Sequence, residues 1–360
     1  MSDQTAQPFF SICVPQYNRT SFLLVALESV LAQSFRDFEI CIADDCSTDG
    51  RHSEIEALLA QSGVRYTYRK NQKNLRYDGN LRAAIGYSSG RYCFLLGNDD
   101  ALPKPDVLAN LARLINSQAQ APAVLISNFT EADGQIVRRI AADVVLPGTP
   151  ENAVAIWRDF SFVSGIVLDG PQARAEATDR FDGSEYYQLY LGCRLIARGG
   201  SYLGTTQITI AKDIQIAGES VDSFRDRKRE VISPWVPRKT TLGYLVPLVC
   251  DAIAPHTVPS SRRAIFTGCL QQFYIFTMPY WLVQYRQVQS WSYSSAVALG
   301  LRPSVLTKTL DLDPLRRAWL TVQWLSMTVA ALLVPIGLFA RLRPFLHGIG
   351  KSFRRGRVSG

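Results

Sequence analysis

The sequence predicts an α/β protein in which a mostly parallel sheet is flanked by helices and followed by a C-terminal helical, membrane-associating region. Three observations predict it. Apolar, β-rich runs alternate with amphipathic segments between residues 9 and 96. Polar and acidic clusters follow these runs at 15–18, 44–49 and 98–100. Beyond Arg263 the chain becomes aromatic, then charge-free, and finally basic.

The elements are expected in this order. Residues 9–15 form a strand, 21–33 a helix with Thr20 or Ser21 as cap, and 38–43 a second strand. A short helix over 52–60, a strand over 64–69, a helix over 79–88 and a buried strand over 92–96 complete the alternation. Such alternation argues for parallel strands joined by right-handed crossovers. A helix over 106–116 and a strand over 123–129 follow, and Glu131-Ala132-Asp133-Gly134 can turn a hairpin. Residues 130–180 are mixed, 185–197 read as helix, and the charged run 225–230 as a loop or solvated helix face. There is no internal repeat or low-complexity tract.

With 360 residues the chain can bury a large core. The net charge of +8 is uneven, since Arg341, Arg343, Lys351, Arg354, Arg355 and Arg357 close the chain without an acid. A basic excess placed there suits a membrane surface, not a nucleic-acid groove. Seven cysteines without a C-x-x-C pair, three of them (Cys13, Cys41, Cys93) inside apolar runs, read as buried free thiols of a reducing compartment. Only three histidines are present, which argues against a His/Cys zinc site. Residues 1–8 are polar and lead directly into a strand, so the α/β part is expected in the cytosol.

Residues 265–285 have the composition of a membrane interface or of an aromatic core helix. Residues 318–340 carry no charge and on length could span a bilayer, although Pro335 and Gly337 interrupt them. A single crossing would leave the basic tail outside, against the positive-inside tendency. An interfacial or re-entrant segment, a second crossing by 265–285, or a buried helix are the alternatives.

The stretch Cys93-Phe94-Leu95-Leu96-Gly97-Asn98-Asp99-Asp100 ends an apolar run in two carboxylates. Adjacent acids at a strand end call for a cation, and a hard divalent ion with oxygen ligands fits. A solvated turn is the other reading. Ligands of parallel sheets bind beyond the carboxyl ends of the strands, where 15–18, 44–49 and 98–100 all fall.

Ser11-Ile12-Cys13-Val14-Pro15-Gln16-Tyr17-Asn18-Arg19, Ile42-Ala43-Asp44-Asp45-Cys46-Ser47-Thr48-Asp49-Gly50 and Leu96-Gly97-Asn98-Asp99-Asp100 resemble, in order and spacing, the nucleotide-sugar motifs of the family 2 glycosyltransferases. The 92–100 stretch is similar to the abequosyltransferase-like branch active in O-antigen and polysaccharide assembly. The resemblance covers roughly residues 9–220 and implies a GT-A fold. It also implies Mn2+ or Mg2+, and inverting transfer of a sugar from a nucleotide donor, with UDP- or dTDP-sugars favoured. Pro15, Tyr17 and Asn18 would line the base, and Asp45 would accept from its imide. Asp99 would hold the ribose and share the metal with Asp100, and Arg76 would lie near the base or phosphates, unless it is a solvated loop arginine.

An inverting transfer also needs a carboxylate base. Where the family carries Glu-Asp this chain reads Glu185-Tyr186, so Glu185 is the first candidate and Asp182 the second. If neither serves, a donor-binding scaffold subunit is the alternative. Asp45 to Gly50 with Glu56 nearly satisfies a calcium-loop pattern, but a strand precedes it where that loop needs a helix. A nicotinamide dehydrogenase would need G-x-G-x-x-G after the first strand, and Pro15-Gln16-Tyr17-Asn18 lacks it. The run 225–229 could close over a diphosphate or remain a solvated face. The expected organisation is a catalytic domain over 1–225, a basic segment over 226–263 and a membrane-associated region over 264–360. A lipid-linked saccharide would be the acceptor, on the cytoplasmic face of the inner membrane.

Overall fold

The computed structural model describes residues 7–219, 231–308, 310 and 312–342. The chain forms two compact units: Met1–Thr149 with Trp157–Val221, and Pro150–Ile156 with Asp222–Gly360.

The first unit is built on β1 (Phe10–Gln16), α1 (Thr20–Leu31), β2 (Phe38–Asp44), α2 (His52–Gln61), β3 (Arg65–Lys70), α3 (Arg76–Gly86), β4 (Tyr92–Leu95) and α4 (Val107–Asn116). Then come β5 (Val124–Thr130), β6 (Ile136–Val137) and β7 (Val144–Leu146). The second unit contributes α5 (Pro150–Ile156) before the first unit resumes with β8 (Ile166–Asp169), α6 (Gly170–Ala175), α7 (Tyr187–Ala197) and β9 (Tyr202–Ala211). The sheet runs β3-β2-β1-β4-β8-β5-β9-β7, with β6 paired to β5. β1 to β4 are mutually parallel, as the alternation predicts, while β8 inserts antiparallel between β4 and β5.

Alternation along the strands divides two layers. Phe10, Ile12 and Val14 of β1 join Ile40 and Ile42 of β2 in a core with Leu23 and Leu27 of α1, Leu59 of α2 and Leu108 and Leu111 of α4. The intervening residues Ser11, Cys13 and Cys41 are equally buried, and α3 packs against β1 and β2. None of the seven cysteines is in a disulfide and six are buried, as expected of structural thiols. The hairpin expected at 131–134 is present, with Phe129 opposite Val137.

Two helix starts differ from expectation. α3 begins at Arg76, ahead of the apolar spacing that marks its core, with Arg76 itself at φ 59°. α7 begins only at Tyr187, because Glu185 is left-handed at φ 65° and cannot continue a helix.

The second unit is helical: α5 with α8 (Leu242–Ile253), α9 (Pro259–Gln272), α10 (Met278–Val288), α11 (Trp291–Gly300), α12 (Pro303–Leu306) and α13 (Pro314–Leu333). A π-helical turn, Phe273–Thr277, joins α9 to α10. Phe273, Tyr274, Met278 and Leu282 are fully buried, so the aromatic run has the character of a core helix. The charge-free stretch is not one straight helix, because α13 and a following helix, Ile336–Leu342, meet at 113°. Pro335 lies at that break. Among the described residues no single helix is long and apolar enough to cross a membrane. The charged run 225–229 and the tail beyond Leu342 lie outside the described residues.

Candidate active site

The expected donor residues gather at the carboxyl ends of β1, β2 and β4. Proline sets the opening. The β1–β4 register ends at Cys13 opposite Leu95, and Pro15 has no N–H with which to extend it, so the strands part there. Beyond the parting the chain turns through Asn18 and Arg19, both left-handed. The turn is pinned across the β2 loop: the Asn18 N–H donates to Ser47 Oγ (2.8 Å), and Asn18 Oδ1 accepts from the Thr48 N–H (2.8 Å). Thr20, at the start of α1, donates its N–H and hydroxyl to Asp49 Oδ2 (3.2 and 2.7 Å), which supplies the missing cap. Tyr17 is left 48% exposed, its ring open to a ligand.

Asp44 and Asp45 take different parts. Asp44 shapes the loop, accepting from the Ser47 N–H (2.7 Å) and the Tyr68 hydroxyl (2.6 Å). Asp45 is buried and accepts through Oδ1 from Asn71 Nδ2 (3.0 Å) and the Leu75 N–H (2.6 Å). Its Oδ2 has no hydrogen-bond partner among the described residues and can take a donor from a ligand. Arg76 is exposed beside this loop.

Asp99 and Asp100 follow β4. Asp100 is buried; its Oδ2 accepts from the Ser164 hydroxyl (2.5 Å) and its Oδ1 from the Asp213 N–H (2.9 Å). Burial, aided by the negative charge of Asp99, pushes the Asp100 carboxyl up to about 7. Asp99 Oδ2 pairs with Arg19 at 2.6 Å, yet burial and Asp213 still hold its carboxyl above the usual range. Arg19 thus pairs with Asp99, and Asp100 has no ion-pair partner among the described residues. Among the described residues no three His, Cys, Asp or Glu side chains cluster as a metal cage. The pair therefore fits a hard ion that takes one or two carboxylates from the protein and its other oxygens from phosphates and water. Gly97 makes room for them: a Cβ there would lie 3.0 Å from Asp100 Oδ2, 3.1 Å from Asp99 Oδ1 and 3.2 Å from Ser164 Oγ.

Beneath the pair lies Arg139, which the sequence reading did not single out. Its guanidinium donates to the carbonyls of Ser127 (2.8 Å), Phe162 (3.0 Å) and Ser164 (3.1 Å), between the rings of Phe129 and Phe162. Burial brings it down to about 10, against the pull of Asp159, so it remains charged at neutral pH.

The two candidate bases part company. Asp182 is engaged through both oxygens by Arg82 (2.5 and 2.7 Å). Glu185 is exposed at the entrance to α7, and its backbone is held by a residue the sequence reading passed over. Asp78, buried in α3, accepts from the N–H groups of Gly183 (2.9 Å), Glu185 (2.9 Å) and Tyr187 (3.0 Å). Burial keeps the Asp78 carboxyl above its ordinary range despite these three donors. Next to it Tyr77 donates to Gln188 Oε1 (3.1 Å). Burial drives the Tyr77 phenol far up, reinforced by the charges of Asp78, Glu185, Asp100 and Asp99.

Residues 11–165 match the family model described as Glycosyl transferase family 2. The match takes in the loops that carry Tyr17, Asp45, Asp99 and Asp100. Among curated proteins the chain is similar to abequosyltransferase RfbV of Salmonella typhimurium, at 41% identity over 111 residues, 30% of this chain and 33% of the relative. The chain thus spans about a third of that relative's length. Among solved structures it is similar to S. aureus TarS 1-349, with a TM-score of 0.59 at 15% identity, over 89% of this chain and 90% of the other. It is also similar to the mannosyltransferase PcManGT of Pyrobaculum calidifontis in complex with GDP-Man and Mn2+, with a TM-score of 0.50 at 16% identity, over 92% and 89% of the two chains. At these identities the likeness is one of fold, and it bears out the expected GT-A-like sheet.

Proposed function

We propose that this chain transfers a sugar from a nucleotide-sugar donor to a hydroxyl of a lipid-linked saccharide, with inversion at the anomeric carbon, at the cytoplasmic face of the inner membrane. The observation that carries the reading is the pair of adjacent carboxylates Asp99 and Asp100, set at the same carboxyl end of the sheet as the open Oδ2 of Asp45 and the exposed ring of Tyr17. A donor base lies on Tyr17, between Pro15 and Asn18, and gives an imide N–H to Asp45. That preference favours uracil and thymine, hence UDP- or dTDP-sugars. TarS has been crystallised with UDP-GlcNAc, which supports a donor of this class.

Asp99 faces the ribose, and Asp99 and Asp100 hold Mn2+ or Mg2+. The bound ion would neutralise the diphosphate as leaving group. Arg76 stands near the base or phosphates. Glu185 takes the acceptor proton as the hydroxyl oxygen attacks the anomeric carbon on the face opposite the departing nucleoside diphosphate. Asp182, committed to Arg82, is the weaker candidate. The lipid-linked acceptor and the membrane surface are the other partners, and no nucleic acid is involved.

Tyr186, at the place of the family's aspartate, favours one second reading, a donor-binding membrane scaffold subunit that turns over poorly. Incubation with radiolabelled UDP- and dTDP-sugars, Mn2+ and a bacterial lipid extract separates the two. Label entering the lipid phase supports transfer, and donor binding without label transfer supports the scaffold.

A further inference from the structure

One face of α13 is apolar and uncovered. Leu315, Trp319, Val322, Leu325, Val329 and Leu333 are exposed by 81, 54, 57, 54, 47 and 70% respectively. Their spacing of three or four residues places all six along one side of the helix. The opposite side is packed within the helical unit, with Leu320 and Ala331 buried. Trp324 donates to the Ala298 carbonyl (3.0 Å), and Arg286 closes the helix end by donating to the carbonyls of Ala331 and Val334 (2.7 Å each). A soluble surface rarely leaves so long an apolar stripe bare.

The charges around the stripe choose its occupant. Residues 318–340 have no charged side chain; Arg317 and Arg316, the latter paired with Asp313 at 3.4 Å, stand at one end and Arg341 at the other. From Pro314 to Gly360 the chain holds eight Arg and Lys and no Asp or Glu. An apolar stripe bracketed by cations matches the boundary between acyl chains and anionic headgroups. The 113° bend after Leu333 and the packed inner face oppose a straight crossing of the bilayer.

We infer that α13 lies in the plane of an anionic bilayer, with the Leu315–Leu333 stripe inserted in the headgroup boundary. This deepens the membrane location proposed above and rests on it, but the donor site plays no part in it. The test is co-flotation of the full chain with preformed vesicles of phosphatidylcholine, with and without phosphatidylglycerol, for wild type and for the double variant Val322→Glu, Val329→Glu. Both positions are exposed, so thermal unfolding and UDP binding of the variant should match wild type. The expected result is flotation with the anionic vesicles, weakened by salt and reduced at least ~10-fold in the variant. Equal flotation of wild type and variant would overturn the inference, as would a wild type that ignores anionic vesicles. An oligomer in light scattering that the variant dissociates would show instead that a second copy covers the stripe. If transfer fails while flotation behaves as expected, the functional reading falls and the membrane face stands.

Discussion

Removing the Asp78 carboxylate should slow transfer while sparing donor binding. Asp78 belongs to α3 and accepts from the N–H groups of Gly183, Glu185 and Tyr187. Glu185 sits at φ 65°, a conformation that costs a non-glycine residue about 1–2 kcal/mol and needs such support. In Asp78→Ala the Tyr187 N–H, in a residue only 3% exposed, loses its acceptor at a cost of roughly 1–3 kcal/mol. The other two donors can turn to water, and loss of the negative charge at the α7 N-terminus adds about 0.3–1 kcal/mol. Relief of the buried carboxylate offsets part of this, leaving about 2–3 kcal/mol, or a fall in Tm of roughly 4–10 °C. Asp78→Asn keeps the shape and one accepting oxygen, so its loss should be about half as large. Calorimetric unfolding and steady-state kinetics on both variants check this. The expected pattern is kcat lowered ~10-fold or more with donor Kd within about twofold of wild type, because only the base loop is released. A destabilised Asp78→Ala with full kcat would refute the reasoning, since Glu185 would then act without being positioned or not act at all.

Other expectations follow from the same geometry. Glu185→Gln should bind donor normally and lose transfer by ~100-fold or more, measured under single-turnover conditions. Gly97→Ala pushes a methyl against both acids and should weaken Mn2+-dependent donor binding by about tenfold in calorimetry. Because Asp100 titrates near 7 and binds a cation only when ionised, Mn2+ affinity should rise with pH by up to about tenfold per unit below 7 and level off above it. The raised value acts oppositely on the metal-free fold. Its stabilising contribution is complete below the ordinary carboxylate range and is lost as pH rises through about 7, a loss that Mn2+ should restore in thermal unfolding. Arg139→Met strips the donors from three carbonyls under the acid pair and should cost at least about 3 kcal/mol in denaturant unfolding.

What was legible in the sequence was local. Apolar runs announced β1, β2, β4 and β5, and the acids at 45 and 99–100 stood out because each follows such a run. The pairings that complete the site join residues far apart in the chain: Arg19 with Asp99, Asp78 with Glu185, Asp213 with Asp100. No short-range pattern marks these pairings, since Arg19, Asp78 and Asp213 each look like an ordinary loop or helix polar residue. The insertion of β8 between β4 and β5 was hidden for a similar reason, as its four residues carry no periodicity of their own. For residues 318–340 the missing charges were legible, but composition alone could not say which side of α13 would be covered. That depended on Arg286 and Trp324 binding the packed side.

The central claim is that Asp99 and Asp100 form a cation-dependent site for a nucleotide diphosphate. Isothermal calorimetry of UDP and dTDP with and without Mn2+, on wild type and on Asp100→Ala, tests it most directly. The account predicts that Mn2+ tightens binding of one nucleotide by ~10-fold or more in wild type and has no effect in the variant. Binding that is indifferent to Mn2+, or a Mn2+ effect that survives Asp100→Ala, would contradict it.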